Sequence, residues 1–148
     1  MVGIIAYEIC TGLPPYHEIP HDEFLAAKIC QGLRPKSDYK VPQLILDVIK
    51  QCWDADPLKR PKAKKLDDLF CDLYDNAKYE KQAVINEQIK EVEEVNKKLS
   101  FSTATSLSTG ILSYTTHAQA VYTSRLLDFK NLPEPKNTDD NETEYTGN

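Results

Sequence analysis

Glycine is scarce, with five residues in a chain of 148, and none stand in a Gly-x-Gly-x-x-Gly pattern, so a phosphate-cradling loop cannot be built. There is no Cys-x-x-Cys pair. Cys10, Cys30, Cys52 and Cys71 are spaced about twenty apart within apolar helical patterns, which predicts reduced core thiols rather than a metal site or a disulfide framework. Of the three histidines, His17 and His21 are four apart but in a loop broken by Pro20, with no third ligand nearby, so no metal site is expected. Gly-x-Ser-x-Gly is absent, which leaves nucleophilic hydrolysis without support. Positive charge is in deficit: 18 Lys and Arg face 23 Asp and Glu, for a net charge of -5. No basic stripe forms, and nucleic-acid binding is disfavoured. Long apolar runs are missing too. The longest, Val2 to Tyr7, is far too short to span a bilayer and has no positive leader, so the sequence predicts a cytoplasmic protein without membrane attachment.

What is present is a series of amphipathic helices. Val2 to Cys10 is apolar on nearly every face and Thr11-Gly12 stops it, which predicts a buried helix with nothing before it to cover it. An extended loop follows through Leu13-Pro14-Pro15-Tyr16 to Pro20, since residues before proline avoid the helical region. Asp22 can cap a second helix carrying Phe24, Leu25, Ile29 and Cys30, closed by Gly32. A third helix from Pro42 aligns Leu44, Ile45, Val48, Ile49, Cys52 and Trp53, and a fourth after Pro61 aligns Leu66, Leu69, Phe70, Leu73 and Tyr74. These helices form one compact all-α unit over residues 1–77.

Residues 78–99 are charged and helix-favouring, with Ile85, Ile89, Val92, Asn96 and Leu99 at heptad-like spacing. A solvated extension of the fourth helix is the simpler expectation, and a short coiled coil the alternative. Residues 100–148 form a Ser/Thr-rich linker and an acidic tail of disordered composition, in which Tyr122 to Phe129 can dock as a short apolar patch. After Lys130, Glu134, Asp139, Asp140, Glu142 and Glu144 face only Lys136. Most of the net charge therefore sits at the end of the chain.

Three patterns occur in a fixed order: Glu8-x-x-Thr11-Gly12-x-x-Pro15-Tyr16, Gly32-x-Arg34-Pro35, and Cys52-Trp53-x-x-Asp56-Pro57-x-x-Arg60-Pro61. Together they resemble the end of the C-terminal lobe of a protein kinase domain, and the Cys-Trp pair is similar to the tyrosine-kinase or tyrosine-kinase-like branch. The segment Ala120 to Phe129 also resembles stretches that follow kinase-like domains in an expanded fungal family. The first resemblance implies that the four helices correspond to those called F, G, H and I. It implies that the loop and helix around Tyr16, His17, Phe24 and Leu25 serve as a docking surface for protein partners. It also implies that Arg60 matches an arginine whose glutamate partner belongs to an Ala-Pro-Glu motif absent here. Kept buried and unpaired, Arg60 would cost roughly 3–5 kcal/mol; turned to solvent, it would cost little. Lys62 stands where the family usually has a capping Ser or Thr, a loss of about 1 kcal/mol, and Tyr7 replaces a more usual tryptophan.

The same resemblance defines what is missing. Phosphoryl transfer needs a glycine-rich loop, a Val-Ala-x-Lys lysine, a His-Arg-Asp catalytic loop and an Asp-Phe-Gly metal ligand. None occurs in this sequence. The expectation is an all-α partial C-lobe followed by a long helix and a tail, non-catalytic alone and holding no cofactor. ATP and a divalent metal are implied only for a complete kinase, and an internal methionine taken as the start would explain the uncovered first helix. The alternative is an interaction module that uses the apolar first helix, the second helix and the tail, with oligomeric state open.

Overall fold

The computed structural model describes residues 2–79, 84–103 and 114–137. Among these residues there are five helices and no strand: α1 (Val2–Thr11), α2 (Glu23–Cys30), α3 (Gln43–Cys52), α4 (Ala63–Tyr79) and α5 (Val84–Thr103). The glycine stops act as expected. Gly12 and Gly32 take positive φ of 69° and 105°, a conformation that costs glycine nothing. The Gly12 N–H then reaches Glu8 O at 2.7 Å and the Leu33 N–H reaches Lys28 O at 2.8 Å, which satisfies the last carbonyls of α1 and α2. Asp22 caps α2 by accepting from the Leu25 N–H at 3.0 Å.

α1 packs against α3. Gly3 makes this possible, because a Cβ there would lie 2.8 Å from Cys52 Cβ and 2.9 Å from Trp53 Nε1. Tyr7, one turn further along, sets its ring 5.4 Å from that of Trp53 at a tilt of 58°. The core gathers Tyr7, Leu25, Val48, Ile49, Leu66 and Ile85. The expectation that α1 is buried all round does not hold. Gly3, Tyr7 and Thr11 face inward, whereas Val2, Ile5 and Ile9 are 48%, 52% and 77% exposed, because no described residue covers that side. Nor are all four cysteines core thiols: Cys10, Cys30 and Cys52 are half-buried, but Cys71 lies on the open face of α4. All four are free.

α5 is a helix in its own right, packed on α4, rather than a solvated extension of it. Its heptad-like residues turn inward within the same chain: Ile85 is buried, and Ile89, Val92, Asn96 and Leu99 are half-buried. Two amides fix the register. Pro42 gives α3 no side-chain cap, and Gln88 Oε1 accepts from the Leu44 N–H at 3.0 Å in its place. Asn96 grips the backbone of Lys40 from both sides, accepting from its N–H at 2.8 Å and donating to its carbonyl at 3.0 Å.

The described part of the expected linker and tail also departs from expectation. Residues 114–137 run without helix or strand across the lobe. The His117 N–H donates to His17 O at 2.8 Å, the His21 N–H to Gln119 O at 3.0 Å, the Lys136 N–H to Cys30 O at 2.8 Å, and the Ala55 N–H to Asn137 Oδ1 at 2.8 Å. Composition predicts too little apolar burial for order, and hydrogen bonds, several of them between backbone groups, seat this segment instead. Tyr122 takes part in the seating, whereas Leu126 is 95% exposed. The remaining stretches of the expected linker and acidic tail, residues 104–113 and 138–148, lie outside the described residues.

Candidate functional site

One residue of each sequence pattern, Tyr16, Arg34 and Trp53, meets at the ends of α2 and α3. Arg34 is their hub. Its Nη1 donates to Ile29 O at 3.1 Å and Leu33 O at 2.9 Å, and its Nη2 to Trp53 O at 2.7 Å. A helix C-terminus carries unsatisfied carbonyls and partial negative charge, so one planar guanidinium neutralises the tails of two helices. The following Pro35 is buried and has no N–H to leave unpaired. Trp53 is held between this clasp and Gly3, and its buried indole N–H has no acceptor among the described residues. Burial pushes the Tyr7 phenol and the Cys10 and Cys52 thiols up from their ordinary values.

The Cys-Trp pattern continues into a self-bonded loop. Asp54 Oδ1 accepts from the Asp56 N–H at 2.9 Å, and Asp56 Oδ1 from the Leu58 N–H at 2.9 Å. The Asp56 N–H is the main reason that the Asp54 carboxyl is held below its usual range. Arg60 is exposed, with Nε on Asp54 O at 2.7 Å and Nη2 on Ala55 O at 3.3 Å. Of its two outcomes the solvent-facing one is found, and no penalty for a buried, unpaired charge arises. Pro57 is exposed and Pro61 half-buried. Glu8 is exposed and contributes its backbone carbonyl to the α1 stop.

Pro15 and Tyr16 turn the chain more tightly than an extended loop. Tyr16 sits at φ 55°, a region costing a non-glycine residue roughly 1–2 kcal/mol. The Ile19 N–H bonds to Tyr16 O at 3.2 Å, and the Tyr16 hydroxyl donates to Leu33 O at 3.2 Å. Burial pushes the Tyr16 phenol up to about 12, partly offset by the Arg34 charge. His17 is buried with Nδ1 3.1 Å from Pro14 O and its ring edge-on to Tyr114. His21 faces Val121 O and Tyr16 O at 3.0 and 3.3 Å and stacks edge-on to Tyr122. The two histidines thus serve separate sets of partners. Of the four residues expected to dock partners, Leu25 and His17 are buried and Tyr16 is half-buried, whereas Phe24 is 79% exposed. Tyr122 Oη donates to Pro15 O at 3.1 Å and Arg125 donates to His21 O, so the tail occupies part of the expected docking loop. The expected apolar patch from Tyr122 to Phe129 pointed to docking, but nothing in the pattern named this loop as its partner.

Residues 1–70 match the family model described as protein tyrosine and serine/threonine kinase. This stretch, just under half of the chain, is similar to a segment of a protein kinase domain. The mast/stem cell growth factor receptor Kit of Canis lupus familiaris is 40% identical over 65 residues, 43% of this chain and 7% of that protein. The Kit receptor of Gallus gallus is 39% identical over 77 residues, 51% of the chain and 8% of the receptor, and the kita receptor of Danio rerio 38% over 65 residues, with coverage of 43% and 7%. The chain therefore spans less than a tenth of the length of these relatives. No solved structure matches it significantly. α1 to α4 carry the matched stretch up to residue 70, and α5 and the tail lie beyond the family match. No described helix is long and apolar enough to cross a membrane.

Proposed function

We propose that the chain carries the helical end of a protein kinase C-lobe whose complete form transfers phosphate from ATP to a protein side chain, and that these 148 residues do not catalyse that transfer by themselves. The match of residues 1–70 to the kinase family carries this reading, and the Arg34 clasp between α2 and α3 supports it by giving the Gly32-x-Arg34-Pro35 pattern a structural role. The residues present do not fit the nucleotide or its metal. The sequence holds no glycine-rich loop or His-Arg-Asp triplet, and no group of three metal-capable side chains occurs among the described residues. The Cys52-Trp53 pair and the Kit relatives favour the tyrosine-kinase or tyrosine-kinase-like branch, and Ala120 to Phe129 favours the fungal kinase-like family within the same reading. A cytoplasmic location goes with it.

The test is a phosphotransfer assay with radiolabelled ATP on this chain and on a version extended upstream through the reading frame. The extended version should contain the missing motifs and label a generic protein substrate, and this chain should not. Label transferred by this chain, or an extended version with the motifs that neither binds nucleotide nor transfers label, would refute the proposal. A second reading, an interaction module, draws on the exposed stripe of Val2, Ile5 and Ile9 on α1. It predicts concentration-dependent self-association or partner-dependent solubility, and a monomer at all concentrations in light scattering speaks against it.

A further inference from the structure

Between α1, α3 and the loop that joins α2 to α3 lies a cavity of about 740 Å³, within the roughly 300–1,000 Å³ range of small-molecule sites. Tyr7, Tyr39, Leu46 and Trp53 give it an apolar wall. Tyr7 is buried and the other three half-buried, so this wall is the inner part. The outer part is cationic. Lys28, Lys36, Lys40, Lys50 and Lys136 line it and are exposed, and Arg34 lies among them. No aspartate or glutamate lines the cavity, and Asp38, which falls between two lining residues, is not part of it. A chain of net charge -5 thus gathers a group of like positive charges around one concavity, against its own overall sign.

Side-chain ion pairing does not account for four of these lysines. Arg34 has its role, bonded to three carbonyls. Lys36, Lys40, Lys50 and Lys136 make no side-chain ion pair with a carboxylate among the described residues. Like charges brought together repel, and a low-dielectric wall behind them focuses their field outward. Such an arrangement is relieved by an anion. Lysines are point-charge donors on flexible stems, suited to a compact, highly charged head without the planar fork that an arginine offers. Three aromatic rings behind them favour a flat apolar body, through offset or edge-to-face packing.

We infer that this cavity is a binding site for a small aryl phosphate, with the aromatic body against Tyr7, Tyr39, Leu46 and Trp53 and the phosphate among Lys36, Lys40, Lys50 and Lys136. The site requires neither ATP nor the catalytic motifs, so it stands or falls separately from the kinase reading.

The experiment is calorimetric titration of the full chain with three probes: 1-naphthyl phosphate, 1-naphthol and inorganic phosphate. The indole N–H resonance of Trp53, the chain's only tryptophan, reports the location. 1-Naphthyl phosphate should bind with one-to-one stoichiometry, shift that resonance, and bind at least tenfold more tightly than either half-probe. The double substitution Lys36→Glu with Lys50→Glu, at two exposed positions, should weaken binding at least tenfold with an unchanged thermal melt. If that variant melts early, Lys36→Gln and Lys50→Gln replace it, each expected to cost about threefold. Equal binding of 1-naphthol would make the cavity merely apolar, and equal binding of inorganic phosphate would make the lysines merely an ion cloud. Either result overturns the inference, as does binding that leaves the Trp53 resonance or the charge variants unaffected.

Discussion

Replacing Arg34 tests whether one side chain ties the ends of α2 and α3 together. Arg34→Ala removes three hydrogen bonds, but they are not equivalent. Ile29 O also accepts from the Gly32 N–H and Leu33 O from the Tyr16 hydroxyl, so both keep a second donor. Trp53 O accepts from no other donor among the described residues. Losing a charged bond to that carbonyl costs about 1.5–3 kcal/mol, and each shared carbonyl adds about 0.5–1 kcal/mol. The expected total is about 3 kcal/mol, a large share of the roughly 5–15 kcal/mol that holds a small domain together. Arg34→Lys keeps the charge, but a single ammonium cannot span Trp53 O and the α2 carbonyls together, so it should lose about half as much. Urea denaturation followed by Trp53 fluorescence measures both. With a slope of about 1.5 kcal/mol/M, Arg34→Ala should lower the midpoint by about 2 M and Arg34→Lys by about 1 M. A midpoint for Arg34→Ala within 0.5 M of the parent, or Arg34→Lys indistinguishable from it, refutes the clasp.

Gly3→Ala should destabilise by about 1 kcal/mol in thermal melts, since overpacking against Cys52 and Trp53 outweighs the roughly 1 kcal/mol that alanine gains within a helix. Asn96→Leu distinguishes the clasp on Lys40 from a coiled coil: it should lower stability by about 1 kcal/mol without promoting oligomers, whereas a coiled-coil seam would be strengthened. Tyr16 has a folded-state value raised to about 12 from 10.0, so its contribution is complete below pH 10 and is lost as pH rises from 10 towards 12. Tyr16→Phe should flatten that part of the stability profile, read by denaturant melts across alkaline pH. Tyr122→Phe removes the bond to Pro15 O and should speed exchange of the His21 amide about fivefold, corresponding to about 1 kcal/mol. Hydrogen exchange monitored by NMR checks it.

The helices were legible because each carries local signals. Gly12 and Gly32 mark C-termini, Asp22 marks an N-terminus, and the stripes of α3 and α4 have helical period. Less legible was which side of each helix finds a neighbour. The α1 sequence is apolar all round, so nothing in its pattern distinguished the Gly3, Tyr7 and Thr11 face from the exposed one. In α5 the stripe was visible, but its partner was not: an asparagine at a heptad position reads equally as a coiled-coil register marker and as a hydrogen-bonding group for a distant backbone. Side chain-to-backbone contacts such as Gln88 to Leu44 and Asn96 to Lys40 join residues 44 and 56 positions apart. They leave no periodic trace. The seating of the tail is hidden for the same reason, since its backbone bonds and the contacts of Tyr122, Arg125 and Asn137 reach residues far away in the chain. At the candidate site, the motif residues were found by their pattern, whereas the ring of lysines around the cavity is drawn from α2, the following loop, α3 and residue 136 and is contiguous only in space.

The cap that Gln88 places on α3 sets a limit on where this polypeptide can be divided. A cut after α4 would leave the Leu44 N–H and both backbone groups of Lys40 to be rescued by water, and would uncover the α4 surface on which α5 packs. The packed unit is therefore longer than the stretch of residues 1–70 that matches the family model. A recombination or splicing event that joined α1 to α4 to a new C-terminus would have to bring an equivalent of α5 with it.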